Sequence, residues 1–158
     1  MSFQIRISPV GRVRLDAGNI SLLIDKPYRK ALTALEGFSH IHVLWWAHKT
    51  GTEHFAPTIA DAPYQNGPEQ VGIFATRSEI RPNPVLMTPA AVLDLNTGKG
   101  IVRLAWIDAE HDSPIIDIKP YQPCFDRVKH AQVPGWCADW PQWQEESGTF
   151  DWAGVLNV

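Results

Sequence analysis

Polar side chains occupy every second position from Arg77 in the segment TRSEIRPNP at residues 76–84. Arg77 and Arg81 could each form two parallel hydrogen bonds to a carboxylate or a phosphate. The two prolines would stiffen the segment and hold those donors in place before a ligand binds. The pattern fits a clamp for an anion or a cofactor. It fits equally a rigid turn whose arginines pair with acids such as Glu79 or Asp117.

A carboxylate and an ammonium group stand two residues apart in the segment IIDIKPY at residues 115–121. In a strand, Asp117 and Lys119 would share one face, and Ile116 and Ile118 would share the other. The charged pair could hold a polar ligand. A solvated or self-paired strand face is the more common arrangement, and the residues by themselves leave both interpretations open.

Two histidines with HxH spacing, His40 and His42, would share one strand face and could bind a metal ion. His48 and His54 follow, but no third ligand stands at a recognisable spacing, so the sequence predicts no metal site. Motifs for nucleotide phosphates and for acyl transfer, such as GxGxxG and GxSxG, are absent from the sequence.

The composition is that of a folded domain with its own core. Of the 158 residues, 44% are hydrophobic and 20% are charged, which is ordinary globular usage. The 13 prolines disfavour long helices. No run of about 18 apolar residues is present, and arginines interrupt the start of the chain, so we expect a cytoplasmic protein without a membrane partner. Cys124 and Cys137 are then expected to stay reduced.

The net charge of −3 gives no overall attraction to nucleic acid. An RNA partner would therefore need a local basic patch. The residues that could form one are Lys26, Arg29, Lys30, Arg127, Lys129 and His130. A solvated helix face would have the same composition.

Apolar and alternating segments predict the strands of the fold. They cover residues 3–15, 19–25, 38–48, 70–76, 85–95, 101–108 and 114–121. Residues 26–37 predict the helix, and residues 50–70 predict a long loop. The chain beyond residue 121 is irregular, with Trp136, Trp140 and Trp143 as packing or interface anchors. These segments predict a mainly β fold, a barrel or a sandwich, with one helix and no domain boundary.

Three segments in this order carry a family resemblance: LEGFSHIHVLWWAH, VGIFATRSEIRPNP and SPIIDIKPY. Together they resemble the TrmO family, also called YaeB or TsaA-like, over about residues 8–125. The resemblance implies a single antiparallel β-barrel domain over residues 1–158, with a few short helices and a C-terminal tail from residue 126. It also implies a homodimer that binds S-adenosylmethionine and methylates N6 of threonylcarbamoyladenosine at position 37 of tRNA.

The family's cofactor contacts fall on four parts of this chain. They are His48 and Lys49 after the WWAH strand, Arg77 of ATRS, Met87 just past RPNP, and His111, Asp112, Ser113 and Pro114 before IIDIKPY. The threonyl carboxylate of the implied substrate would suit Arg81 or Lys119, with Asn83 as a further substrate contact. Asp117 and Tyr121 are the candidate proton acceptors or hydrogen-bond relays.

The sequence departs from the family pattern at several positions. It lacks the N-terminal PRQ of many members, has Leu86 where the family has a glycine, and has HDSP where DGTP is usual. Asp112 thereby replaces a glycine, the residue with the widest backbone freedom. Two further functions stay open for this reason. One is a protein that binds S-adenosylmethionine without transferring the methyl group, and the other is a methyltransferase for a different RNA or a small molecule.

Overall fold

The computed structural model describes residues 4–50 and 57–157. The described strands are β1 (Gly11–Asp16), β2 (Asn19–Ile24), β3 (His40–Trp46), β4 (Ile59–Asp61), β5 (Gln70–Gly72), β6 (Val85–Asn96), β7 (Ile101–Leu104) and β8 (Pro114–Pro120). Two short helices, α1 (Pro123–Asp126) and α2 (Gln144–Ser147), accompany four 3₁₀ segments, at Lys26–Leu32, Ile73–Ala75, Gly135–Cys137 and Trp152–Gly154. None of the described helices is both long and apolar enough to cross a lipid bilayer.

The chain divides into two compact units. The first unit contains the described residues up to 50 together with 83–127, and it holds six of the strands. The second unit contains residues 57–82 and 128–157, with β4 and β5. The expectation of one domain with a tail from residue 126 stays a prediction.

The six strands of the first unit close into a barrel in the order β1–β2–β7–β6–β3–β8, with antiparallel neighbours throughout. The mainly β, antiparallel barrel is therefore confirmed. Alternate side chains fill its interior, as strand geometry requires. The hydrophobic side chains with no exposure among the described residues are Val13, Leu22, Ile41, Val43, Val102 and Ile115. The turn predicted at NTGKG joins β6 to β7, and Gly100 there has a φ of 70°.

Pairing is longest around β3 and shortest where the barrel closes. All seven residues of β3 pair with β6, and most of them also pair with β8. Closure between β1 and β8 rests on two residue pairs, Gly11 with Ile115 and Arg12 with Pro114. Backbone hydrogen bonds extend this contact, because Val13 N donates to the carbonyl of Ser113 at 3.0 Å.

A buried polar pair lies inside the barrel beside the core. Trp45 is 2% exposed, and its indole Nε1 donates to Thr88 Oγ1 at 3.1 Å. The pair is satisfied, as a buried indole N–H requires. Leu86, which replaces a family glycine, packs against the same core cluster. Part of this side chain is therefore buried against the core, and part of it is exposed.

The strand alternation predicted for β8 breaks at Ile116. Asp117 pairs with Leu44 but Ile115 pairs with Trp45, so the register shifts between them. Such a bulge leaves one residue, here Ile116, without a partner. It also shifts the alternation, so residues on either side of the bulge no longer follow one inward–outward pattern. Ile115 and Ile118 contact the core cluster and Ile116 does not. The expectation that Ile116 and Ile118 share a face is therefore wrong.

A 3₁₀ segment at Lys26–Leu32 stands in place of the longer helix predicted over residues 26–37. Thr33 is extended and Ala34 has a φ of 65°, which ends any helix there. The Arg29 side chain donates to the carbonyls of Ile24 and Gly98 at 3.3 and 3.2 Å, which ties the segment to the barrel. Leu32 supplies its buried side chain.

Several strand boundaries also differ from the prediction. Strand β1 begins at Gly11 rather than at residue 3. The preceding residues Ile5 and Ile7 are 72% and 50% exposed, so they do not pack into the core. Strand β5 ends at Gly72, and the chain continues as a 3₁₀ turn. The predicted loop at 50–70 contains β4, which pairs with β5.

Aromatic packing organises the second unit. Tyr64 stacks on Trp136 with ring centroids 4.8 Å apart, and Trp140 meets both rings edge-on. Trp152 extends the cluster through Trp140. Burial raises the pKa of the Tyr64 hydroxyl, with a smaller effect from Cys137. The tail is irregular, as predicted, with Trp136 and Trp140 as packing anchors, while Trp143 is 57% exposed.

The turn before β8 contains a residue in the left-handed region. Asp112 has a φ of 65°, its N–H donates to the carbonyl of Val13 at 2.8 Å, and Ser113 N donates to the carbonyl of Glu110 at 3.1 Å. Aspartate tolerates this conformation better than most residues that have a Cβ atom. The turn therefore keeps the backbone that a glycine would adopt freely.

We expect Asp112→Ala to be about 1 kcal/mol less stable than Asp112→Gly, because both remove the carboxylate and only alanine places a Cβ in the left-handed region. Denaturant unfolding measures the difference. The matched control is Asp16, exposed in ordinary strand conformation, where alanine should be the more stable of the two. If the alanine variant were also the more stable of the two at position 112, the backbone there would be unstrained.

Candidate functional site

The end of β3 meets the turn that precedes β8. His48 Nδ1 lies 3.3 Å from Ser113 Oγ, and Lys49 Nζ donates to Glu110 Oε2 at 2.9 Å. Ser113 is fully buried, whereas His48, Lys49 and Glu110 are exposed. Three residues that the resemblance assigned to the cofactor thus lie together, with Glu110 added to them. We call these four residues the rim cluster.

Antiparallel pairing creates the rim cluster. Because β3 and β8 run in opposite directions, the chain leaves β3 at the edge of the barrel where it enters β8. Beyond β3, Ala47 N donates to the carbonyl of Pro84 at 2.9 Å, and Thr50 Oγ1 donates to the carbonyl of Ala47 at 3.0 Å. These bonds fix the backbone that carries His48 and Lys49.

His111 and Asp112, two further predicted cofactor residues, attach the turn to β1. His111 Nδ1 lies 3.1 Å from both N and O of Leu15. Asp112 Oδ1 accepts a hydrogen bond from Arg14 Nη1 at 3.0 Å and lies 3.7 Å from Arg12 Nε. The Asp112 carboxylate is therefore compensated by two arginines of the barrel. Pro114 continues the attachment as the partner of Arg12 in the strand register.

Glu110 is the residue of the rim cluster that sequence reasoning missed. The hydrogen bond from Lys49 lowers the pKa of the Glu110 carboxyl group, with further contributions from the charges of Lys49 and His48. A single glutamate before a turn has no spacing that marks it. Only the pairing of β3 with β8, which places Lys49 opposite the turn, could have identified it.

The predicted residues Met87, Asp117 and Lys119 lie on the outer face of the barrel. Met87 pairs with Leu44 of β3, and Leu44 pairs with Asp117 of β8. Lys119 stands in the next row, opposite His42. Since Ile41, Val43 and Trp45 point inward, these partners point outward. The structure thus places Met87 of β6 and Asp117 of β8 in one row across Leu44 of β3, with Lys119 in the next row.

Asp117 and Lys119 form an ion pair on the strand face that the alternation predicted them to share. Lys119 Nζ donates to Asp117 Oδ2 at 2.6 Å, and Asp117 Oδ1 accepts from the N–H of Ile118 at 2.9 Å. This hydrogen bond, followed by the charge of Asp117, raises the pKa of Lys119. Asp117 also borders a cavity of about 270 Å³, whose other walls include Tyr28, Leu35, Phe38 and Ile118.

Tyr121 packs beside a buried histidine. Its ring centroid lies 5.4 Å from that of His42, whose Nε2 stands 3.1 Å from Asp126 Oδ1. The contact lacks hydrogen-bond geometry, and both ring nitrogens of His42 are buried without a hydrogen-bond partner. The other histidine of the HxH pair, His40, has its Nδ1 within hydrogen-bond distance of Ser39 Oγ, at 2.9 Å. No group of three or more metal-binding side chains occurs among residues 4–50 and 57–157, and His54 lies outside those residues.

The segment TRSEIRPNP is braced by its own hydrogen bonds. Arg81 Nη1 donates to the carbonyls of Thr76 and Ser78 at 3.4 and 3.3 Å. Ser78 Oγ accepts from the N–H of Ile80 at 3.1 Å. Arg81 thus stabilises the turn, which agrees with the rigid-turn interpretation for that residue. Arg77, in the second unit, is exposed, as is Asn83 in the first, and their predicted ligand contacts stay predictions.

Comparison with known proteins extends these observations. The family profile described as tRNA-methyltransferase O N-terminal domain matches residues 8–127. The tRNA (adenine(37)-N6)-methyltransferase of Escherichia coli K12 is 34% identical over 125 residues, which are 78% of this chain and 53% of that protein. A probable S-adenosyl-L-methionine-binding protein of Methanothermobacter thermautotrophicus is 34% identical over 139 residues, 79% of this chain and 96% of that protein.

The fold comparison agrees. The crystal structure of TrmO from Pseudomonas aeruginosa superposes with a TM-score of 0.64 at 25% identity, covering 82% of this chain and 62% of that one. This chain spans about half the length of the Escherichia coli relative. Because the profile covers most of the chain and the relatives share about a third of the aligned residues, this protein belongs to the TrmO family, through its tRNA-methyltransferase O N-terminal domain.

Proposed function

We propose that this protein is an S-adenosylmethionine-dependent methyltransferase that methylates N6 of threonylcarbamoyladenosine at position 37 of tRNA. The observation that carries the proposal is the match of residues 8–127 to the TrmO domain. The rim cluster supports it, since it brings together His48, Lys49 and Ser113 from segments far apart in the sequence. The names of the Escherichia coli and archaeal relatives supply the reaction and the cofactor.

The rim cluster fits S-adenosylmethionine in chemical type. The cofactor presents ribose hydroxyls, an adenine ring and an amino-acid end with both charges. His48 and Ser113 can donate or accept hydrogen bonds, and Lys49 and Glu110 offer one charge of each sign. Met87 and Arg77 remain proposed as further cofactor contacts. His111, Asp112 and Pro114 remain proposed as well, and they also attach the turn to β1.

The outer face of β8 supplies the residues proposed for the substrate. Bound S-adenosylmethionine supplies an electrophilic methyl group, so the chain must align the nucleophile, exclude water and accept a proton. Lys119, whose raised pKa keeps it an ammonium group, can pair with the threonyl carboxylate. That exchange frees Asp117 to accept the N6 proton, with Tyr121 nearby as a relay. Arg81 and Asn83 remain proposed substrate contacts.

The proposal includes tRNA as partner, a cytoplasmic location and a homodimer. Lys26 and Lys30 are exposed beside Arg29 and could contact phosphates. Met87 and Leu93 of β6 are apolar side chains that are 41% and 61% exposed, and a second copy would cover them in the proposed dimer. Sedimentation equilibrium at micromolar concentration should give twice the chain mass of 17.7 kDa. A single-chain mass would contradict the dimer.

We expect His48→Ala to weaken S-adenosylmethionine binding roughly two- to tenfold, because one hydrogen bond to the ligand is lost. Calorimetric titration measures the affinity. His130→Ala, which removes another exposed histidine, is the matched control and should leave the affinity unchanged. Equal affinities for both variants would remove the rim cluster from the cofactor site. A wild-type protein that binds no cofactor would overturn the proposed function.

Asp117→Asn should slow methyl transfer at least about 100-fold, since the amide cannot take the substrate proton. The assay is single-turnover transfer to tRNA that carries threonylcarbamoyladenosine without the methyl group. Cofactor affinity should not change. The control is Asp94→Asn, an exposed carboxylate of β6 opposite Arg103, which should transfer at the wild-type rate. A normal rate for Asp117→Asn would exclude Asp117 as the acceptor.

A second function, cofactor binding without methyl transfer, is favoured by the turn at Asp112. This residue takes the place of a family glycine, and Arg14 and Arg12 hold its carboxylate against β1. The archaeal relative, which this chain matches over 96% of its length, is named only for cofactor binding. Tight binding of S-adenosylmethionine with no transfer to the modified tRNA would select this function.

A further inference from the structure

Lys49 and Glu110 form an ion pair that is open to solvent at the edge of the barrel. Their side chains are 59% and 61% exposed, and Lys49 Nζ lies 2.9 Å from Glu110 Oε2. The two residues come from different segments, one after β3 and one in the turn before β8. The hydrogen bond from Lys49 lowers the pKa of the Glu110 carboxyl group.

Glu110 is the available acid of this turn. Asp112, two residues later, has its carboxylate contacted by Arg14 at 3.0 Å and Arg12 at 3.7 Å, and His111 Nε2 lies 3.6 Å away. Glu110 has one ion-pair partner among the described residues, Lys49. A positively charged ligand group could therefore reach Glu110 without leaving an arginine of the barrel unpaired.

The pair is complementary to an α-amino acid. Such a group carries an ammonium and a carboxylate on one carbon atom, so its two charges are as close together as those of Lys49 and Glu110. An exposed ion pair gains little from its own contact, because water competes for both charges. When the ligand binds, two ion pairs replace one, and no charge is left uncompensated. The neighbouring polar groups of His48 and Ser113 lie beside this position.

Resting on the proposed function, we infer that Lys49 and Glu110 together bind the amino-acid end of S-adenosylmethionine. Lys49 pairs with the ligand carboxylate, and Glu110 pairs with the ligand ammonium group. Glu110 is thereby a cofactor-binding residue that the family resemblance does not assign. Loss of either protein charge would leave one charge of the ligand without a partner.

The test compares two ligands that differ at this end. S-adenosylhomocysteine and 5′-methylthioadenosine are both neutral thioethers of adenosine, and only the first carries the amino-acid group. Calorimetry should show that wild-type protein binds S-adenosylhomocysteine at least about tenfold more tightly. Glu110→Gln and Lys49→Met should each weaken S-adenosylhomocysteine binding about tenfold and leave 5′-methylthioadenosine binding unchanged. The controls are Glu36→Gln and Lys99→Met, which alter exposed charges elsewhere in the first unit.

A charge-reversed variant separates ligand binding from a structural role. In Lys49→Glu/Glu110→Lys the ion pair can form again, so any loss of thermal stability in the single variants should be recovered. The preference for S-adenosylhomocysteine should not return, because the chirality of the ligand fixes the positions of its two charges. Recovery of the preference along with the stability would show that the pair only supports the turn, and would overturn the inference.

The remaining outcomes are also decisive. If wild-type protein binds both ligands equally, or if both single variants keep the preference, the inference is wrong while the proposed cofactor stands. If wild-type protein binds neither ligand, the proposed function fails and the inference fails with it.

Discussion

β3 pairs along its length with β6 on one side and with β8 on the other, and this double pairing determines which side chains can meet. Antiparallel neighbours place the end of β3 beside the start of β8. The same pairing carries Met87, Leu44 and Asp117 into one row on the outer face of the barrel. The rim cluster and the outer-face residues are therefore two products of one strand arrangement.

The turn before β8 shows how position decides the use of a charge. Glu110 and Asp112 are two residues apart, but β1 lies on only one side of the turn. Asp112 faces the arginines of β1 and becomes part of the attachment. Glu110 faces the segment after β3 and meets a lysine in solvent. One carboxylate therefore attaches the turn to β1, and the other forms an exposed ion pair, for which water competes.

Much of this could be predicted from the sequence, and the remainder depended on distant pairing. The alternation in IIDIKPY predicted that Asp117 and Lys119 share one face, because a strand places residues two apart on the same side, and the structure shows them paired there. The same rule failed for Ile116, because the bulge arises from pairing with β3, some 70 residues earlier in the chain. The helix prediction at 26–37 failed where Ala34 adopts a positive φ. Tertiary context overrode local propensity at that point.

The family resemblance named His48, Lys49 and Ser113, which the structure brings together, and their contacts to a cofactor stay predictions. It could not locate Glu110, which belongs to no motif, nor the contact of His42 with Asp126, which brings together β3 and α1. Both depend on which segments become neighbours after folding. Sequence patterns identify functional residues that lie close together in the chain. The structure adds the residues that contact them from distant segments.

The short pairing between β1 and β8 affects how firmly the turn that carries Glu110 and Ser113 is held. Two residue pairs and a few adjoining backbone hydrogen bonds close the barrel between these strands. Separating β1 from β8 should therefore cost less free energy than separating the other strand pairs of the barrel. Separation removes the support that Val13 and Leu15 give to the turn at residues 110–113. If the turn holds a ligand as proposed, that ligand would bind only the form in which β1 and β8 are paired, and its binding would stabilise that pairing. Ligand affinity and hydrogen-exchange protection along β1 are then two measures of one linked equilibrium.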